Sequence, residues 1–308
     1  MTALPAVILL QHRCKNKESW EYRYRKSSLI LAIVLFFGTG ILLYGSFIEP
    51  KFLIIKQESI DLSNIDKPIK IALFADLQVG PYRDGDYVAK ISKTIIAQKP
   101  DLVLIAGDHI NNSGDDKDEV VLLENIKLIA KDLPVYAVHG NHEYGVSDGA
   151  SFYDEKFRLP DLSGQVEKYM SELGIKYLTN EKELVKIKDQ ELYLFGGDSY
   201  WAQKLDLKKL SKKEKEIPTI ALIHNPAAIF DLSGYDVDLV IAGHTHGGQI
   251  RLPFIGPLIP VDNVIPRKWH QGWVKYKNIK MYVTSGAGET GVRSRLLAPP
   301  EIVMLTIY

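Results

Sequence analysis

Five short apolar runs in this chain each end in a polar side chain able to hold a metal ion. IKIALFA runs into Asp76, DLVLIAG into Asp108, VYAVHG into Asn141 and His142, TIALI into His224, and DLVIAG into His244, Thr245 and His246. With His139, these segments use five of the eight histidines in the chain. One histidine behind a strand is ordinarily a satisfied polar group, but this many coincidences point to a shared cavity. Carboxylate, amide oxygen and imidazole, with no thiolate among them, suit a hard or borderline divalent ion such as Mn, Fe or Zn. Asp76 and Gln78 are spaced i, i+2, as are His244 and His246, so both members of each pair can face one cavity as the chain leaves a strand. The chemistry open to such a set is metal-assisted hydrolysis. Two ions about 3.5–4 Å apart that share a carboxylate clamp a phosphoryl group for in-line displacement. Each such ion lowers the pKa of a coordinated water towards ~7.

The elements that must position these residues follow from the same runs. Continuous apolar segments bounded by glycine or a turn read as strands buried on both faces. Glu191–Gly196, Met281–Ser285 and Ile302–Ile307 add further strands, and Tyr87–Ala97, Val120–Lys131, Gly164–Glu172 and Lys204–Glu214 read as helices. The expected fold is α/β, a four-layer α-β-β-α sandwich over residues 69–308. In open α/β sheets, ligands sit at the carboxyl ends of the strands, where these polar residues fall.

The N-terminal residues have a different character. Residues 29–48 contain nothing charged; twenty helical residues span roughly 30 Å, the hydrocarbon thickness of a bilayer. The run is too long for a signal-peptide core and lacks a small-residue cleavage site, and no twin arginine precedes it. A single transmembrane helix is expected. Before it, residues 1–28 carry six lysines and arginines against Glu18 and Glu21, a net of +4, while Lys51, Lys56 and Lys67 follow it. This bias places a basic segment, 1–28, in the cytoplasm and the rest of the chain on the extracytoplasmic side of the cell membrane. Residues 49–68 read as a linker with room for a first strand. The AVILL run within Met1–Leu10 is too short to span. Over the whole 308 residues, 38 basic side chains balance 38 acidic ones, which removes the electrostatic case for nucleic acid. The single cysteine, Cys14, excludes an internal disulfide and a thiolate zinc cluster. No obligate protein partner is inferred.

The ordered set Asp76-x-Gln78, Gly107-Asp108, Gly140-Asn141-His142-Glu143, His224 and Gly243-His244-Thr245-His246 resembles the calcineurin-like metallophosphoesterase superfamily. GHTHGGQIRLPFIGP and SGAGETGVRSRLLAPPEIVML are similar to the membrane-attached bacterial branch grouped with the UDP-2,3-diacylglucosamine hydrolases. The resemblance implies that Asp76, Gln78 and His246 hold one metal ion, that Asn141, His224 and His244 hold a second, and that Asp108 bridges them. It implies that His142 is catalytic, protonating the leaving oxygen as a general acid, with Glu143 orienting it. Most members of the superfamily have histidine where this chain has Gln78. A neutral carbonyl is a poorer ligand than imidazole for Zn, so a weaker first site that favours Mn is expected. The aspartate–arginine–glycine run of protein serine/threonine phosphatases is missing after Asp108.

Other residues carry two readings each. His109 reads as a support or substrate contact, or as a solvated loop histidine. Arg293 and Arg295 read as a phosphate clamp or as a surface pair. LKKLSKKEKE, 207–216, reads as a solvated helix face or a contact with anionic lipid. Trp269 and Trp273 read as core or as an interfacial loop. Gly145–Asp161 is long enough to form a lid. Together these features imply a membrane-anchored two-metal phosphoesterase that hydrolyses a phosphodiester or pyrophosphate of a lipid or nucleotide-linked lipid, since a shared bilayer raises effective concentration. A cytoplasm-facing UDP-lipid and an extracytoplasmic domain pull in opposite directions. A soluble nucleotide diphosphate hydrolase and a non-catalytic metal-binding sensor are the alternatives.

Overall fold

The apolar runs become strands of two six-stranded sheets in the computed structural model, which describes residues 2–114, 117–210 and 217–308. In chain order the strands are β1 (Ile54–Ile60), β2 (Ile69–Phe74), β3 (Leu102–Ile105), β4 (Val135–Ala137), β5 (Lys176–Tyr177), β6 (Glu181–Ile187), β7 (Gln190–Gly196), β8 (Thr219–Leu222), β9 (Leu239–Ala242), β10 (Arg251–Leu252), β11 (Gly256–Pro257), β12 (Gly272–Tyr276), β13 (Ile279–Val283) and β14 (Glu301–Ile307). The first sheet runs β1-β14-β2-β3-β4-β5 and the second β12-β13-β9-β8-β7-β6, with β10 and β11 forming a separate ribbon.

The central strands are parallel: Ile71 pairs with Leu102, Val103 with Val135, and Ile220 with Leu239. A parallel register brings their carboxyl ends to one edge, and that shared edge gathers the site. Between the sheets lies one apolar core, with Ile71, Leu104 and Leu305 from the first sheet meeting Leu194, Leu222 and Ile241 from the second. The helices Gly85–Gln98 and Ser163–Glu172 cover the outer face of the first sheet, as Val88, Ile91, Ile95, Val166 and Met170 join its outer core.

The fourth layer is thinner than the sequence suggests. No helix forms over residues 204–210, and the remainder of the expected Lys204–Glu214 helix lies outside the described residues, as does most of 207–216. Asn180 holds the segment as a loop, donating to the Lys204 carbonyl at 2.9 Å and accepting the Asp206 N–H at 2.9 Å. Leu205 and Leu207 pack on the second sheet at a two-residue spacing that a helix could not use. Val120–Lys131 is also tighter than expected, a 3-10 helix over Lys117–Ile126 followed by one α turn, Lys127–Ala130. Trp269 belongs to the outer core of the second sheet, stacked near Phe230 and Tyr276. Trp273 lies on β12 and donates to Glu58 at 2.8 Å.

The apolar N-terminal helix runs from Arg25 to Leu43, widens over Tyr44–Ile48, and closes in a 3-10 turn at Glu49–Lys51. By length and composition it is able to cross a membrane. The first residues do not stand apart from it. A helix over Ala3–Lys15 packs antiparallel against it, with Thr2 and Thr39 hydroxyls 2.7 Å apart and Arg13 Nε donating to the Arg25 carbonyl. The AVILL run therefore lies alongside the apolar helix.

Candidate metal centre

Five of the seven ligand candidates leave their strands through an unusual backbone, whereas Asn141 and His224 do not. Asp76, Gln78, Asp108, His244 and His246 all have positive φ, between 49° and 70°. Left-handed backbone at non-glycine residues persists where the surroundings over-determine it, and such residues cluster at functional sites. The surrounding hydrogen bonds supply that determination. Asp76 N–H donates to the Gly107 carbonyl, Gln78 N–H to that of Asp108, and His244 N–H to the Asp76 carboxylate at 3.0 Å. Gly107 and Gly140 let these loops touch: a Cβ on Gly107 would fall 2.6 Å from Gly140 N, and one on Gly140 would collide with Asp108 Oδ1.

The residues singled out as ligands converge. Asp108, His224 and His244 present ligand atoms within 4.8 Å of one another, and so do Asp76, Asp108 and His246. Asp108 belongs to both groups. His224 Nδ1 faces the Ala106 carbonyl at 2.7 Å, which leaves Nε2 aimed at Asp108 Oδ2, 3.1 Å away. Such a second-nitrogen hydrogen bond fixes the tautomer of a ligating histidine. Asn141 donates from Nδ2 to the Val146 carbonyl at 2.6 Å, which fixes its amide with Oδ1 as the acceptor; Oδ1 takes one long bond from Asn225 Nδ2 at 3.3 Å and keeps a lone pair for an ion. Gln78 Nε2 donates to Asp108 Oδ2 at 2.9 Å.

The donor set fits divalent cations. Among the described residues, Gln78 Oε1 and His244 Nε2 are buried without a hydrogen-bond partner, a costly arrangement that an ion relieves. Burial pushes the Asp76 carboxyl up to about 7, opposed by His224 and assisted by Asp108. Burial would raise Asp108 too, but the His224 and His142 imidazoles outweigh it and hold that carboxyl low. His224 is drawn up to about 9, because Asp108 and Asp76 overcome the effect of burial. Burial and the Arg295 guanidinium push His246 down to about 3, and burial with His224 holds His244 well below its ordinary value. Neutral imidazoles are ready ligands, whereas protons on Asp76 and His224 compete with the ions.

His142 sits over this cluster without joining either group. Its Nδ1 lies 2.6 Å from the Asn111 carbonyl, and Nε2 is 3.9 Å from Asp108 Oδ2 and 3.5 Å from Thr290 Oγ1. Glu143 does not orient the ring. Its carboxylate accepts the N–H groups of His109 at 2.6 Å, Gly140 at 2.7 Å and Asp108 at 3.2 Å, and so ties two ligand-bearing loops together. Leaving a buried N–H unpaired costs about 1–3 kcal/mol. Glu143→Ala is therefore expected to lower the thermal unfolding midpoint by roughly 5–10 °C in scanning calorimetry. An unchanged midpoint would mean that the loops hold without it.

Two expected substrate contacts are placed elsewhere. Arg295 is fully buried, donating to the carbonyls of Ala298 at 2.7 Å, Ser285 at 2.8 Å and Gly288 at 2.5 Å. Its guanidinium is occupied by backbone and stands 3.5 Å from His246 Nδ1, which makes it a support for the ligand loop. His109 is also fully buried, edge-on to Tyr177, and neither solvated nor open to substrate. Arg293 is exposed beside Tyr82. His139 is turned to Glu167, 3.2 Å away.

Several residues at the site were not found in the sequence. Asn225, next to His224, contacts Asn141 Oδ1 at 3.3 Å and receives the Trp201 N–H. The Trp201 ring lies edge-on to that of His244 at 4.3 Å, and the Phe152 ring is 5.2 Å from it. Phe152 lies on a short helix, Gly149–Tyr153, so the Gly145–Asp161 segment forms a wall beside the site. Gln249 exchanges hydrogen bonds with the Thr290 backbone at 2.9 Å and holds the threonine next to His142. Gln249 and Thr290 lie inside the GHTHGGQ and GETG stretches, which was their only signal.

Two carboxylate–imidazole groups sharing one carboxylate, at the strand ends of a mixed α/β sandwich, define a two-metal hydrolase. The family model for calcineurin-like phosphoesterases matches residues 69–248, and the chain belongs to that family. It is a metal-dependent phosphoester hydrolase. Among its relatives, an uncharacterized metallophosphoesterase of Helicobacter pylori is 32% identical, over 92% of this chain and 70% of that protein. YkuE of Bacillus subtilis, also an uncharacterized metallophosphoesterase, is 27% identical over 86% of this chain and 88% of its own. The phosphodiesterase YaeI of Escherichia coli is 27% identical over 78% of this chain and 82% of its own.

Proposed function

We propose that this protein is a membrane-anchored phosphodiesterase that uses two divalent ions to cleave a phosphodiester or pyrophosphate of a lipid or lipid-linked substrate. The observation that carries the reading is Asp108, common to both ligand groups and 3.9 Å from His142 Nε2. Asp76, Gln78 and His246 would hold one ion and Asn141, His224 and His244 the other. When bound, the ions supply charge neutralisation at phosphorus and a water acidic enough to attack near neutral pH. The Asn111 carbonyl fixes the His142 ring so that Nε2 points into the site, where it can pass a proton to the leaving oxygen. Thr290 stands beside that nitrogen.

The relative named as a phosphodiesterase supports diester chemistry. The anchor rests on the apolar helix, whose N-terminal end gathers Arg13, Lys15, Lys17, Arg23, Arg25 and Lys26. Carboxylate and carbonyl donors in the Asp76–Gln78–His246 group favour Mn. The purified full-length protein is expected to hydrolyse bis-p-nitrophenyl phosphate faster with Mn than with Zn, and faster than p-nitrophenyl phosphate. Absence of turnover with Mn, Fe and Zn alike would overturn the reading.

The glutamine at position 78 carries its own prediction. Gln78→His substitutes imidazole for a neutral carbonyl and is expected to raise affinity for the first ion while turnover is kept. Titration of the ion-free protein with Mn measures this directly; identical filling of both proteins would show that Gln78 is no weaker a ligand.

A further inference from the structure

The apolar helix does not end in a free linker. Its last turns are seated on the loop that follows the metal site. The Gly45 carbonyl accepts the Arg295 N–H at 2.8 Å, and a Cβ on Gly45 would fall 3.1 Å from Ser294 Oγ. The buried Glu49 carboxylate accepts the Ala298 N–H at 2.7 Å, and Arg83 donates to the Pro50 carbonyl at 2.5 Å. Through Arg295, one side chain separates the helix end from His246.

That seat fixes a depth. Gly45 lies three residues before the end of the uncharged run 29–48, or about 5 Å inside it at helical rise. The 294–296 loop touching Gly45 lies at the same level. From Leu296 the β10–β11 ribbon is bonded directly, Leu296 N–H to the Gln249 carbonyl at 2.8 Å and Arg251 N–H to the Leu296 carbonyl at 2.9 Å. The ribbon and the chain after it expose Phe254 at 109%, Ile259 at 76% and Ile255 at 61%, and Val292 and Leu297 are exposed on the helix seat. Arg267 and Lys268 line the hollow under the ribbon with Phe254 and Leu297. Exposed apolar side chains rimmed by cations match an interfacial layer of anionic lipid.

We propose that the 254–259 segment, with Val292 and Leu297, embeds in the interface of the leaflet the helix leaves, so that the metal centre opens at the lipid surface. This rests on the membrane-anchored reading. The occupant is lipid because the apolar helix itself fixes the bilayer at this edge of the domain.

The test uses the full-length chain carrying Cys14→Ser, in vesicles of phosphatidylethanolamine and phosphatidylglycerol. Single cysteines replace Phe254, Ile259, Phe37 or Glu191 and carry an environment-sensitive fluorophore. Phe37 lies in the apolar helix, and Glu191 near the start of β7, at the strand ends opposite the site. Probes at 254 and 259 are expected to shift to the blue and escape aqueous iodide, as the probe at 37 does, while the probe at 191 stays quenched. If the probe at 37 is protected but those at 254 and 259 are quenched like that at 191, the proposed surface is wrong and the anchor stands. If the probe at 37 is itself quenched, the anchor fails and the surface with it.

Discussion

Replacing His142 by alanine is expected to cost about a hundred- to ten-thousand-fold in kcat towards a diester with an alkoxide leaving group. The ring makes no contact that holds an ion. Nδ1 is turned to the Asn111 carbonyl and Nε2 stands 3.9 Å from the nearer Asp108 oxygen, short of bonding but close to where a leaving oxygen would lie. Metal content measured by elemental analysis is therefore expected to stay at the wild-type value. A general acid matters in proportion to the basicity of the oxygen it protonates. The loss should consequently shrink with a p-nitrophenolate leaving group, which departs without a proton. Equal losses with both leaving groups would assign His142 to binding rather than proton transfer. Loss of metal from His142→Ala would return the residue to the ligand set.

The parts of this molecule that were legible in its sequence share a physical cause. Strands buried on both faces must be continuously apolar, so β2, β3, β8 and β9 were visible as runs, and the residue at which each run breaks is the residue that meets the cavity. Asp76, Asp108, His224, His244 and His246 were found that way, and the structure brings them together. What stayed hidden acts through backbone or across long sequence distances. Glu143 looked like a partner for its neighbour His142, yet its carboxylate caps N–H groups 33–35 residues away, which no spacing rule reports. Arg295 had the composition of a phosphate clamp in a glycine-rich loop. Its burial beneath His246, against carbonyls of residues 285, 288 and 298, depends on how β14 and the loop before it fold back. The leucines at 205, 207 and 210 pack on the second sheet from a loop, because Asn180 ties down the chain between them. The seat of the apolar helix was equally out of reach, since Gly45 and Arg295 lie 250 residues apart in sequence.

Asp108→Asn is expected to remove both ions at once, and with them activity on every phosphoester tested. The substitution is nearly isosteric, and asparagine tolerates the left-handed backbone found at φ 53°, so the fold should survive. What changes is charge and hydrogen-bond polarity. Asp108 is the one carboxylate common to both ligand groups. Its Oδ1 accepts the His142 N–H at 2.9 Å and its Oδ2 accepts Gln78 Nε2 at 2.9 Å, with His224 Nε2 3.1 Å away. An amide must turn its NH2 towards one of these donors, which adds a steric and polar conflict to the lost charge. Asp76 belongs only to the group with His246, and an asparagine oxygen can still accept the His244 N–H that donates to it at 3.0 Å, so Asp76→Asn is expected to lose one ion and keep the other. The pair is therefore read by counting metal after dialysis: two ions per chain in the wild type, one in Asp76→Asn, none in Asp108→Asn. Because an ion that binds only the folded chain stabilises it by RT ln(1 + [L]/Kd), about 4 kcal/mol at a thousandfold excess over Kd, the rise in unfolding midpoint on adding Mn should diminish in the same order. Two ions retained by Asp108→Asn, with turnover near wild type, would show that the shared carboxylate does not bridge them.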